Sequence, residues 1–332
     1  MNDMKKIGLT ALAGSLVAFS ANAAEMSVSG ATLLTYTSED GSEVTGNPLG
    51  MKTNIAFTAS GEVNGMTVSY YQASQDQFAG MSSARLSVDM GDLGTLALDQ
   101  GSGSGLATID DVTPTAAEEI WDGLDTTTSG RVGAVGSAGV LNYINTFGGV
   151  TFNGAMKKGS GTSNADGASS GNGEGSGYDF ALTTDGSMLG IDGLALGFGY
   201  GEIEAGQTAT AAGNNGDTTN MTGFAKYTMG PVSFGYQEST EDIGGNGAAS
   251  QYSNRWGVAF NINENLSVSY GEAETEFANP SATHITEEVE GIAVAYTMGS
   301  MKIAGNQNEA TNMAGTSGAS DSMTEIAVSF AF

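Results

Sequence analysis

Six carboxylates crowd into sixteen residues of this chain: Asp110, Asp111, Glu118, Glu119, Asp122 and Asp125. Such a density of oxygen ligands suits a hard cation, and Asp110, Asp111 and Glu118 are the set best spaced for Ca²⁺. Without a metal the same groups make a fixed negative field that attracts cations and repels anions. Hydrolytic chemistry has less to work with. His284 is the only histidine and sits among Ala, Thr and Ile, so no Ser-His triad or histidine metal site suggests itself. The run Gly101-Ser-Gly-Ser-Gly105 lacks the Lys-Ser/Thr of a phosphate loop. No catalytic residue and no required cofactor are expected, with Ca²⁺ only as a structural addition.

The carboxylates lie in residues 101–130, the longest stretch without strand patterning. Thr113 with Pro114 at the first helical position, or a capping box of Thr115 and Glu118, predicts a short helix over 113–121. Ile120, Trp121 and Leu124 predict that the stretch docks against something, because long connections are functional when they are ordered.

Around this stretch the pattern has period two. In Ile326-Ala327-Val328-Ser329-Phe330-Ala331-Phe332 large apolar residues alternate with small ones, and Ala84-Arg85-Leu86-Ser87-Val88-Asp89 does the same. Successive strand side chains point to opposite faces. One face is thus large and apolar, and the other is small, polar or charged. Sixteen strands are predicted, near 25–37, 51–60, 65–75, 82–90, 94–100, 137–147, 150–158, 177–185, 193–204, 218–229, 231–240, 251–262, 265–276, 287–298, 301–309 and 322–332. Tight connections such as Gly61–Asn64, Gly91–Leu93, Gly148-Gly149 and Gly299-Ser300 alternate with long polar ones such as 38–50 and 159–176. A soluble β-sandwich also alternates in face. It gives no reason for every second connection to be long, whereas an outer-membrane barrel does.

The start of the chain reads as an export signal. Lys5 and Lys6 precede an apolar stretch, Ile7 to Ser20, and Ala21-Asn22-Ala23 fits a small-residue cleavage site. Residues 1–23 are therefore assigned to the signal and 24–332 to one barrel domain. The chain has 10 basic and 37 acidic residues, a net charge of −27, which excludes a nucleic-acid binder. It has no cysteine, so the fold closes without disulfides. No segment of the mature chain is a long apolar run, so a membrane location requires a closed barrel, which satisfies its backbone in lipid.

Face parity also sorts the bases. Arg85 falls opposite Leu86 and Val88, and Lys52, Arg255, Lys157 and Lys302 fall on the same inner face by the same rule, away from lipid. Lys226 is compatible with either face. Arg85, Arg131, Lys52 and Arg255 are the bases expected across from the carboxylates at a constriction. Tyr36, Tyr70, Tyr143, Tyr236, Tyr270, Tyr296, Phe330 and Phe332 fall at or near strand ends on the apolar face, as aromatic girdles do.

Three stretches carry a resemblance: Glu25-Met26-Ser27-Val28-Ser29-Gly30, Gly91-Asp92-Leu93-Gly94-Thr95-Leu96-Ala97-Leu98-Asp99, and the terminal Ala327-Val328-Ser329-Phe330-Ala331-Phe332. With the signal and the strand rhythm, they resemble the general porins of alphaproteobacteria. The resemblance implies a sixteen-stranded homotrimer in the Gram-negative outer membrane, with the third loop folded into each lumen and Phe332 as the assembly signal. This chain carries fewer wall bases than the family pattern, which favours cations. The expectation is an all-β, antiparallel transmembrane barrel in contact with lipid, passing small hydrophilic solutes and ions by passive diffusion. A plugged structural or adhesive barrel and a solute-specific channel are the alternatives.

Overall fold

The computed structural model describes residues 25–74, 83–126, 132–136, 138–159, 176–204, 215–245, 250–278 and 284–332. The signal assigned to 1–23 and the base Arg131 lie outside them.

Among the described residues there are sixteen strands. They are β1 (Glu25–Asp40), β2 (Leu49–Val63), β3 (Met66–Ser74), β4 (Ser83–Asp89), β5 (Thr95–Gln100), β6 (Ala138–Phe147), β7 (Val150–Lys157) and β8 (Gly177–Thr184). β9 (Leu194–Ile203), β10 (Asn215–Met229), β11 (Val232–Gly245), β12 (Ser250–Asn261), β13 (Leu266–Ala278), β14 (Ile285–Met298), β15 (Met301–Thr311) and β16 (Ser320–Ala331) complete the series. Each pairs antiparallel with its neighbours in sequence, and β16 pairs with β1 to close the barrel. Closure reaches the last residue. Phe332 donates its N–H to the Gly30 carbonyl at 3.0 Å and accepts from the Gly30 N–H at 2.8 Å.

Alternation then divides the wall into two faces. Leu34, Tyr36, Leu86, Phe234, Tyr236, Ile292, Val294, Tyr296, Ile326 and Phe330 are exposed on the outside, whereas Ala73, Ala97, Ala181, Ala273, Ala293 and Ala327 are buried on the inside. An exposed apolar band with a small-sided interior inverts a soluble protein and suits a barrel in lipid. Toward the long-loop rim the outer face turns acidic, and Glu272 opposes Glu290 while Glu274 opposes Glu288 across β13 and β14. Lys226 is resolved by its neighbours. Met221 and Tyr227 are exposed on the outer face, and Phe224 packs with buried inner residues, so Lys226, at even parity, faces inward.

Two expectations are corrected. The tight turn placed at Gly61–Asn64 lies at Asn64-Gly65, with φ of 52° and 78°, and Gly61 to Val63 continue β2. A two-residue hairpin of this kind needs positive φ at both centres, which Asn-Gly supplies most readily. The helix predicted over 113–121 is absent; that stretch consists of bends and a turn. Thr115 Oγ1 donates to the Glu118 carbonyl at 2.7 Å and accepts from the Ala117 N–H at 3.3 Å. The capping residues thus build a local turn, while neighbouring backbone groups bond to the wall.

Gly65→Ala forces a side chain into the left-handed region, at a cost of roughly 1–2 kcal/mol. A lower urea midpoint for the refolded protein is the expected outcome, and an unchanged midpoint would show that the turn tolerates the strain.

Candidate functional site

The site is built from the connection between β5 and β6. Its first residues are tied to the strand they leave. Asp99, fully buried, accepts from the Ser102 N–H at 2.8 Å and the Ser104 hydroxyl at 2.6 Å. Arg85 donates to the Gly103 carbonyl at 3.0 Å and to the Asn142 side-chain oxygen. A short 3-10 turn, Gly105–Thr108, follows.

From there the connection bonds to one strand after another. The Gly105 N–H donates to Asn153 Oδ1 on β7 at 3.0 Å, and the Leu106 N–H to Asp179 Oδ1 on β8 at 3.0 Å. Gln237 Nε2 on β11 donates to the Ile109 carbonyl at 2.7 Å. The Ala116 N–H donates to Ser269 Oγ on β13 at 2.8 Å. Asn308 Nδ2 on β15 donates to the Glu119 carbonyl at 3.1 Å and the Asp122 carbonyl at 2.9 Å. The Asp125 N–H donates to Asp321 Oδ2 on β16 at 2.8 Å. On the return limb the Val135 N–H donates to Asp179 Oδ2 at 2.6 Å, so one carboxylate holds both limbs. Every wall residue in this series lies on the face opposite the exposed apolar band. Backbone groups that leave water need such partners.

Apolar contacts reinforce the bonds. Leu106 and Ile109 pack with Ala181, Val112, Val132, Ala134 and Phe224. Ile120, Trp121 and Leu124 pack against Ala273, Val289, Ala310 and Met313. Arg255, 1% exposed, lies 5.2 Å from the centre of the Trp121 ring, within cation–π range.

The predicted site residues therefore separate into groups. Arg85 and Arg255 are engaged with the connection itself, in the field of which Asp110 and Asp111 sit beside Arg255. Lys52 lines a cleft with Glu118, Asn54 and Lys302. Asp122 stands near Glu118, Glu119 and Glu325, with Lys52 opposing them. Asp125 is exposed and accepts from the Ser42 hydroxyl at 3.3 Å. Sequence reading omitted Lys302 from the constriction bases and missed Asn153, Asp179, Gln237, Ser269, Asn308 and Asp321. Their one visible signal was a polar side chain at inner-face parity. Among the described residues no group of three or more His, Cys, Asp or Glu is gathered to hold a metal ion, and Asp110, Asp111 and Glu118 form no such trio. His284 Nδ1 lies 2.6 Å from Glu276 Oε1 at the exposed rim.

Three carboxyls of the connection are held above the usual range, Asp110 by burial against the pull of Arg255. Burial, then a hydrogen bond and repulsion from Glu119, raise Asp111 to about 7 against the pull of Arg255. Burial, then repulsion from Glu118 and Glu325, raise Asp122 to about 6.

No family model and no curated protein matches the sequence. Solved structures do. The chain is similar to the anion-selective porin from Comamonas acidovorans, at 13% identity over 93% of this chain and 100% of that one, with a TM-score of 0.66. OmpF of Salmonella typhi in complex with daunomycin matches at 12% identity over 94% and 99%, TM-score 0.67. The trimer form of OmpT, an outer membrane protein of Vibrio cholerae, matches at 13% identity over 93% and 100%, TM-score 0.65. The fold is that of bacterial porins.

The raised carboxyls carry a pH dependence, most strongly Asp111 and Asp122. A folded-state value above the unfolded one means that the folded protein binds more protons, so their contribution is largest in acid and is lost as pH rises from about 4 through 7. Denaturant midpoints of the wild type are expected to fall over that window, and Asp111→Asn with Asp122→Asn to flatten the decline. An equally steep decline in the double variant would place the titration elsewhere.

Proposed function

We propose that this protein is a general porin of the alphaproteobacterial type. In this reading it is a trimeric, water-filled channel of the Gram-negative outer membrane that passes small hydrophilic solutes down their gradient. The observation that carries the reading is the run of bonds from residues 103–125 to strands from β4 to β16 on the inner side of a closed barrel. A connection tied to the inner wall at this many points narrows the lumen while leaving a fixed passage beside it. Phe332, whose backbone bonds to Gly30, is assigned in this reading as the residue recognised during assembly.

Passage through such a channel is diffusion, and its selectivity is electrostatic. Glu118, Lys52 and Lys302 line the cleft between the connection and β1, β2, β15 and β16, and Asp122 and Glu325 stand within electrostatic range of Glu118. Arg255 is shut off from water, and Arg85 is half-buried and bonded to the connection. The balance left to face the solution is negative, and the net charge of −27 adds a surface field of the same sign. The channel is therefore cation-preferring, unlike the anion-selective porin that shares its fold.

Strand length supports the trimer. A transmembrane strand needs about 9–11 residues, and β4 and β5 have 7 and 6. Strands elsewhere in the barrel, such as β11 and β14, have 14 each. The low side of the wall needs cover that lipid does not give, and a second copy of the chain supplies it.

Planar-bilayer recordings under a salt gradient test the selectivity. A reversal potential of cationic sign is expected, shrinking toward zero in Glu118→Gln with Asp122→Asn. A clear anion preference in the wild type would sink the cation assignment. Liposomes carrying the protein should swell in small sugars; absence of swelling would favour the plugged structural barrel.

A further inference from the structure

Four glycines of the inner wall face one another across adjacent strands. Gly235 on β11 is the register partner of Gly257 on β12, Gly257 of Gly271 on β13, and Gly271 of Gly291 on β14. All four are buried. None has the positive φ that commonly explains a glycine. In a strand interior glycine weakens the strand and marks a close approach of another backbone or a ligand. Here the approaching group is known. A methyl group on Gly235 would lie 2.6 Å from Pro114 Cδ, and one on Gly257 would lie 2.8 Å from the Pro114 carbonyl oxygen. On Gly271 it would meet the Trp256 carbonyl oxygen at 2.9 Å and Ile120 Cγ2 at 3.2 Å, and on Gly291 it would meet Asn308 Oδ1 at 2.5 Å and Ile120 Cβ at 2.9 Å.

The rows on either side keep their side chains. One reads Gln237, Arg255, Ala273 and Val289, and the other Ser233, Ala259, Ser269 and Ala293. Both flanking rows also hold the connection, through Gln237 to the Ile109 carbonyl and Ser269 to the Ala116 N–H. The glycine row is thus a transverse groove, one side chain deep, in which residues 113–120 lie. An α-helix, about 10–12 Å across with its side chains, is too thick to lie flush in it. This is a second reason why the predicted helix does not form.

We propose that Gly235, Gly257, Gly271 and Gly291 form a track that seats residues 113–120 flush with the wall and thereby sets the clear width of the channel. They are positioning residues, acting through the connection they carry. The inference rests on the reading that this connection constricts the lumen. Side chains introduced on the track would lift it off the wall toward the channel axis.

The test compares Gly257→Val and Gly235→Val, where a side chain meets only atoms of the connection, with Gly257→Ala as a milder variant. Gly61→Val serves as the control, since a side chain at Gly61 meets open space. Heat-modifiable gel mobility establishes folding, and single-channel conductance with exclusion of graded polyethylene glycols reads the width. Folded track variants are expected to lose conductance by about twofold, because flux follows the cross-section of the constriction, and to exclude smaller polymers, while Gly61→Val keeps wild-type values. If both valine variants fail to fold, Gly257→Ala decides, with a smaller drop in the same direction. Unchanged or raised conductance in a folded track variant overturns the inference. Deleting Thr115–Ala117 separates the two levels: higher conductance in that deletion with no loss in the track variants removes the track alone. Wild-type conductance in the deletion removes the constriction reading and the track with it.

Discussion

The structure depends on the need to satisfy every backbone donor and acceptor where water is absent. In a membrane, a sheet meets that requirement only by closing on itself. The pairing of β16 with β1, carried to the Phe332–Gly30 bonds, removes the last free edge. Once the sheet is closed, period-two alternation fixes the rest. An outer face that meets lipid is large and apolar, and an inner face is released from hydrophobic duty. The inner face can then hold Asp, Asn, Gln and Arg where a soluble core could not.

The connection between β5 and β6 exploits that freedom. Its backbone amides find Asn153, Asp179, Ser269 and Asp321, and its carbonyls find Arg85, Gln237 and Asn308. These bonds replace the internal ladder that a helix would have supplied. The capping signals at Thr113-Pro114-Thr115 favoured a helix start by about 1 kcal/mol. A set of buried bonds, each about 1 kcal/mol net, together with the seat for Pro114 and Ile120, outweighs it. The loss of the helix and the shape of the wall have a common origin.

The legibility of the sequence follows the range of the interactions. Strand number and order were readable because period two is a local property, and every predicted strand overlaps its counterpart. The turn at Asn64-Gly65 was misplaced because Gly61 looked equally suited, and only pairing with β3 distinguishes them. Parity put Arg85, Lys52, Arg255 and Lys302 on the inner face, but parity gives a direction and not a depth. Nothing along the chain distinguishes Arg255, covered by Trp121, from Lys52, which lines a cleft. The glycines at 235, 257, 271 and 291 are separated by irregular intervals, so their alignment exists only in the register of four strands.

Depth also decides what the charges do. Six carboxylates in one stretch suggest one function, yet the fold gives them different environments. Asp111 shares its surroundings with Glu119 and is held above the usual carboxylate range, whereas Asp125 stands exposed at the rim. Arg255 offsets Asp110 and Asp111 from beneath, which keeps part of the cluster from repelling itself off the wall. Repulsion between like charges grows as water leaves, so the buried arginine is a condition for packing so acidic a segment against a barrel. The same burial keeps its charge from the solution, whereas Lys52 and Lys302 line a cleft beside Glu118. An inward base can thus serve the packing of the connection and not the solution, and its parity along the strand does not say which.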